Sequence, residues 1–122
     1  MILADTSVWI DHFRSGNREL RKLLDQGQIL IHPFIVAELA LGTLRDRAST
    51  LALLDLLPKV RVAQISEVRR AIEARRLFSS GIGLVDAHLI ASIFIESPTL
   101  LWTRDRRLRK VAEGLGIHAS LR

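Results

Sequence analysis

The chain has 122 residues, with 18 Lys and Arg against 13 Asp and Glu, a net charge of +5. That length suffices for one domain over residues 1–122 with a real core, and 48% hydrophobic content argues against disorder. No uncharged run reaches the ~18 residues that span a bilayer, no basic-then-apolar order marks a signal peptide, and the lack of cysteine excludes disulfides, thiolate nucleophiles and Cys-ligated zinc, so a soluble cytoplasmic protein away from membranes is expected.

Short apolar runs alternate with helical patterns along the chain. Residues 1–4 read as a first strand. Residues 7–14 and 17–26 read as helices, and Gly27 breaks the second. A second strand covers 28–31. Pro33 suits the first position of a third helix, which Gly42 ends. The leucine-rich helix at 46–57 stops at Pro58, and 59–63 reads as a third strand. Ser66 is placed to cap a helix over 67–79, although Arg69 stands where a capping box carries an acid. A turn at 80–83 leads into an apolar helix over 84–96, stopped near Pro98. Residues 99–102 read as a fourth strand, 105–113 as a basic helix ended by Gly114 and Gly116, and 117–119 as a short last strand. Strands that are apolar throughout and alternate with helices predict an α/β fold, its parallel sheet covered on both faces.

Four acids interrupt or end apolar stretches in this pattern: Asp5, Glu38, Asp86 and Asp105. Asp5 and Asp105 each follow a predicted strand, at the edge where α/β sheets bind ligands. Each could also cap the helix that follows it. Asp86 is the only acid in its apolar helix start, where the helix dipole favours it. Glu38 lies too deep in its helix to cap it, and no Lys or Arg stands three or four residues away. A lone buried carboxylate is costly to keep ionised. Carboxylates that converge can share a hard divalent cation, Mg²⁺ or Mn²⁺, bound through oxygen. Setting the four acids aside raises the net charge from +5 to +9. A basic surface around an acidic centre suits a polyanion such as RNA.

Other chemistries lack their residues. His12, His32, His88 and His118 show no paired metal spacing. No serine sits in a nucleophile elbow, and no Gly-rich loop of the phosphate-binding type is present. Metal-assisted hydrolysis of a phosphodiester by an activated water is what remains. Ser7 and Thr103 are the small hydroxyls nearest Asp5 and Asp105, placed to orient a carboxylate or a metal-bound water.

The runs Asp5-Thr6-Ser7-Val8-Trp9-Ile10, Val36-Ala37-Glu38-Leu39, Leu84-Val85-Asp86-Ala87-His88 and Leu101-Trp102-Thr103-Arg104-Asp105 resemble the successive motifs of the PIN-domain family. The chain is most similar to its VapC toxins, from toxin–antitoxin pairs, in motif order and total length. The resemblance implies a three-layer α/β/α sandwich around a central parallel sheet. It implies an Mg²⁺- or Mn²⁺-dependent endoribonuclease with Asp5, Glu38, Asp86 and Asp105 as the catalytic acids. By motif match, Asp5 and Asp86 would bind the metal, Glu38 would help position it, and Asp105 would complete the pocket. Ser7 and Thr103 match the family's small polar positions. A VapB-like antitoxin and a homodimer are the partners it implies.

Arg104, Arg106 and Arg107 beside Asp105 are candidate RNA contacts, as are Arg109 and Lys110 there and Arg45 and Arg47 after the Glu38 helix. With no Tyr, two Trp and four Phe, base stacking should contribute little, and Trp9 and Trp102 are expected in the core. Residues 51–57 carry more leucine than one helix face can bury, as a groove wall or dimer seam would. A phosphoacceptor domain would need a lysine near the site, and Lys22, Lys59 and Lys110 are poorly placed. A catalytically silent nucleic-acid-binding module and a metal-dependent DNA nuclease are the alternatives to the ribonuclease.

Overall fold

A computed structural model describes residues 1–121. Its elements run β1 (Ile2–Ala4), α1 (Thr6–Ser15), α2 (Arg18–Asp25), β2 (Ile29–Leu30), α3 (Pro33–Leu41), α4 (Arg47–Asp55), α5 (Ile65–Ala74), α6 (Leu84–Ile95), β3 (Leu100–Trp102) and α7 (Arg106–Gly114). The strand order is β2-β1-β3, parallel throughout, with Ile2 opposite Ile29 and Leu100, and Leu3 opposite Leu30 and Leu101. The order reverses at β1, so the sheet is wound in both directions from its centre. The expected strands at 59–63 and 117–119 do not form. Each shrinks to one parallel bridge, Ile31 to Lys59 and Leu101 to His118, which extends the sheet by a single residue pair on either side. Apolar residues there are enough to pack against an edge without building a ladder.

Helices cover the sheet in two groups. α1 packs on β1 and α3, and α3 on α4; α6 packs on β3 and α5. The core is Leu3, Ala4, Ile29, Leu30, Leu101 and Trp102 from the strands against Ile35, Leu39, Leu89, Ile90 and Ile93 from the helices, all buried. This is the three-layer α/β/α arrangement with a central parallel sheet. Trp9 and Trp102 are buried in it, as expected. In α4 Leu54 is buried while Leu53, and Leu56 just after the helix, are exposed, so the leucine-rich stretch does exceed its buried face. No helix is long and apolar enough to cross a membrane among the described residues.

Local caps explain the boundaries. The helix expected over 67–79 instead starts at Ile65 and ends at Ala74. Gln64, not Ser66, precedes it, and Glu67 accepts a hydrogen bond from the Gln64 N–H at 2.9 Å. The capping box therefore starts two residues earlier than Ser66 suggests, and its acid is Glu67. α3 is capped by His32, whose Nδ1 accepts from the Phe34 N–H at 3.0 Å, with Pro33 at its first position.

That bond fixes His32 as a neutral ring. Burial, with the charge of His88 second, pushes its pKa down to about 4. The unfolded chain takes up a proton near pH 6.5, whereas the folded chain resists until about 4. The contribution of His32 is thus complete above pH 6.5 and lost as pH falls through that window. Denaturant unfolding of wild type against His32→Asn, which keeps a capping acceptor, isolates it. The wild type should lose roughly 1–3 kcal/mol more than the variant between pH 6.5 and 4; parallel pH profiles would refute the assignment.

Candidate active site

Asp5 leaves the C-terminal end of the central strand, its N–H still paired to the Trp102 carbonyl at 2.9 Å. Extended backbone there lets it cap α1. Its Oδ1 accepts from the backbone N–H groups of Ser7 (3.0 Å) and Val8 (3.3 Å) and from the Ser7 hydroxyl. Its Oδ2 accepts from the Thr103 hydroxyl. The Ser7 oxygen in turn accepts from the Arg104 N–H at 2.9 Å, and the Thr103 oxygen from the Asp105 N–H at 3.0 Å. Each amide takes one lone pair of its hydroxyl, and each hydroxyl gives its proton to Asp5.

The other acids arrive from three further segments. Asp105 caps α7, its Oδ1 accepting from the Leu108 N–H at 2.9 Å. Asp86, in the first turn of α6, accepts from the Gly83 N–H at 3.3 Å. Glu38, midway along α3, accepts from the Thr6 hydroxyl at 2.6 Å. All four line one pocket of about 270 Å³ with Thr6, Ser7, Ile10 and Leu89. They grade from buried Asp5 through half-buried Asp86 to exposed Glu38 and Asp105. The apolar surroundings of Glu38 in sequence suggest burial. The structure corrects this, because helical geometry turns its face out of the core.

Burial pushes the Asp5 carboxyl up, despite the opposing hydrogen bonds from Ser7 and Thr103 and from the two amides. Asp86 is also pushed up, first by burial, then by the charges of Asp5, Asp105 and Glu38, against one bond from Gly83. Among the described residues no Lys or Arg pairs with any of the four; the one ion pair joins Arg104 to Asp11 at 3.5 Å. The cluster therefore carries excess negative charge. Its donors are all hard oxygens, which fits Mg²⁺ or Mn²⁺. Among the described residues no three acids or histidines close on a point as a ready cage. Mg²⁺ keeps several waters and needs only one or two carboxylates, so the donor set fits it.

Sequence reasoning missed Thr6 and the apolar wall. Leu89 follows Asp86 by three residues and Ile10 follows Thr6 by four, the spacings that share a helix face. Arg104, Arg106 and Arg107 are exposed beside Asp105. Arg107 lies against Gly81, where a Cβ would stand 3.1 Å from its Cδ. A larger groove of about 750 Å³ adjoins the acidic pocket, sharing Ile10 and Glu38 and walled by Phe13, Arg14, Leu44 and Arg45.

Asp86→Asn tests the repulsion directly. It removes one charge while its amide oxygen can still accept from Gly83. Thermal unfolding in EDTA at pH 7 should show the variant as stable as wild type or about 0.5–2 kcal/mol more so. A clear loss of stability would mean that the cluster is not electrostatically strained.

Known proteins match this sequence over nearly the whole chain. The PIN domain family model matches residues 2–114. Ribonuclease VapC32 of Mycobacterium tuberculosis, in strains CDC 1551 / Oshkosh and ATCC 25618 / H37Rv, is 41% identical over 117 residues, covering 96% of this chain and 94% of the relative. With its sheet order, its acidic pocket and these matches together, the chain belongs to the PIN-domain family, in the branch of the VapC proteins.

Proposed function

We propose that this chain is a metal-dependent endoribonuclease, the toxin of a toxin–antitoxin pair, cutting RNA with Mg²⁺ or Mn²⁺. The observation that carries the reading is the convergence of four carboxylates from four segments on one pocket, with no cationic side chain to neutralise them among the described residues. A divalent cation there supplies charge to the phosphodiester and lowers the pKa of a neighbouring water. Asp5 and Asp86 would hold it, with Asp5 kept in place by the Ser7 and Thr103 hydroxyls. At the rim, Glu38 would help position the cation, through its bound water, and Asp105 would complete the acidic pocket. Attack by water leaves a 5′-phosphate and a 3′-hydroxyl. Attack by the RNA 2′-hydroxyl would need an acid–base pair such as His or Lys, and neither lines the pocket.

Arg104, Arg106 and Arg107 grip the phosphate backbone. The wider groove, apolar at Ile10, Phe13 and Leu44 with Arg14 and Arg45 beside them, receives a segment of a VapB-like antitoxin. The exposed Leu53 of α4 and Leu56 just after it lie outside that groove and support a homodimer seam.

Incubation of end-labelled RNA with the purified protein tests the activity. Cutting should require Mg²⁺ or Mn²⁺, stop in EDTA, leave 5′-phosphate ends, and fall at least about 100-fold in Asp5→Asn. Undiminished cutting by that variant would expose a misassigned site. Metal binding with no cleavage of any RNA would turn the reading toward a silent nucleic-acid-binding module. The arginines make a separate prediction in the Asp5→Asn background. Replacing Arg106 and Arg107 by Ala should shallow the salt dependence of RNA affinity by roughly 0.7 for each phosphate no longer neutralised; an unchanged slope would remove them from the interface.

A further inference from the structure

Thr6 occupies the first position of α1, immediately after Asp5. A hydroxyl there commonly serves its own helix terminus. This one does not, because Asp5 already accepts from the Ser7 and Val8 amides. The Thr6 hydroxyl instead donates across to α3, to Oε1 of Glu38 at 2.6 Å. That length is typical of a hydroxyl bonded to a carboxylate. Among the described residues Glu38 has no other hydrogen-bond or ion-pair partner.

Glu38 also stands between two spaces. It lines the acidic pocket and the adjoining groove, whereas Thr6 lines the acidic pocket alone. An exposed glutamate has three free torsions, and holding it in one arrangement costs up to ~2 kcal/mol of rotamer entropy. Untethered, its carboxylate would divide its time among the pocket, the groove and solvent. The β-branch of Thr6 restricts its first torsion, so its hydroxyl is pre-aimed.

We infer that Thr6 is a positioning residue, whose hydroxyl holds the Glu38 carboxylate on the side of the acidic pocket and so strengthens cation binding there. The inference rests on the proposed metal-dependent function. Thr6 touches neither cation nor RNA in this role; it acts through Glu38.

Calorimetric titration with Mn²⁺ in the absence of RNA tests it, alongside thermal unfolding of each metal-free protein. Thr6→Val, which keeps the shape and loses the donor, should bind Mn²⁺ about tenfold more weakly than wild type. Its unfolding temperature should stay within about 2 °C of wild type, since the bond is exposed. Thr6→Ser should restore most of the affinity. In a Glu38→Ala background, Thr6→Val should cost nothing further. Should Thr6→Val fold poorly, Thr6→Ala takes its place in the same comparison. Wild-type affinity in Thr6→Val, or in Thr6→Ala where that replaces it, overturns the inference. So does an equal loss with and without Glu38, because Thr6 would then act by another route. Absence of Mn²⁺ binding by the wild type overturns the metal reading and the positioning role with it, whereas normal wild-type binding and unaffected variants overturn the positioning role alone.

Discussion

A single buried carboxylate, Asp5 at the end of the central strand, sets the terms for the rest of the site. Removing an ion from water costs several kcal/mol even after relaxation. Four donors answer that cost, two amides and two hydroxyls, and bonds to charged groups contribute about 1.5–3 kcal/mol each. They do not close the deficit, because the Asp5 carboxyl is still pushed above its ordinary range. The same bonds lock the start of α1 to the turn after β3. Ser7 and Thr103 come from opposite ends of the chain, yet both hydroxyls are oriented by amides of that turn. The carboxylate is thus rigid and incompletely neutralised, the condition in which it gains most from a cation.

Topology makes the convergence possible. All three strands are parallel, so every strand end faces the same edge of the sheet. The strand order reverses at β1, and the helices following β1 and β3 leave a crevice there. Asp5 and Asp105 reach that crevice because each closely follows a strand. Asp86 is carried there by α6 packing on β3, and Glu38 by α3 packing on α1. Substituting a core residue such as Leu3 or Ile90 would disturb the site without touching it.

What can be read from sequence follows the same division. The positions of Asp5 and Asp105 are legible because strand ends in parallel sheets have a fixed meaning. The meeting of Glu38 and Asp86 with them is not, since it depends on how helices cross rather than on spacing. The motif order of a known family fills that gap. Glu38 reads as enclosed but is exposed, because an apolar neighbourhood along the chain is not one in space. The strands at 59–63 and 117–119 reduce to single bridges for a related reason: β-prone residues at a sheet edge have a partner on one side only. Thr6 escapes notice because nothing local distinguishes a hydroxyl that bonds 32 residues away.

Capping and the proposed metal binding are not rival explanations of these acids. Asp5 and Asp105 cap α1 and α7, and Asp86 accepts an amide at the start of α6. Each of these three acids therefore lies at a helix N-terminus, and three such termini face one pocket. A helix N-terminus carries about half a positive charge, so three supply about +1.5 against four carboxylates. The dipoles make the cluster tolerable but leave it well short of neutral. A bound divalent cation would close most of the remaining difference, and a phosphodiester brought to it would restore negative charge beside the exposed Arg104, Arg106 and Arg107. The local rule that starts three helices with an acid is therefore also the rule that assembles the pocket. A sequence that kept the caps but used serine or asparagine would preserve the helices and remove the negative charge of the pocket, so the charge of these residues is more than their capping requires.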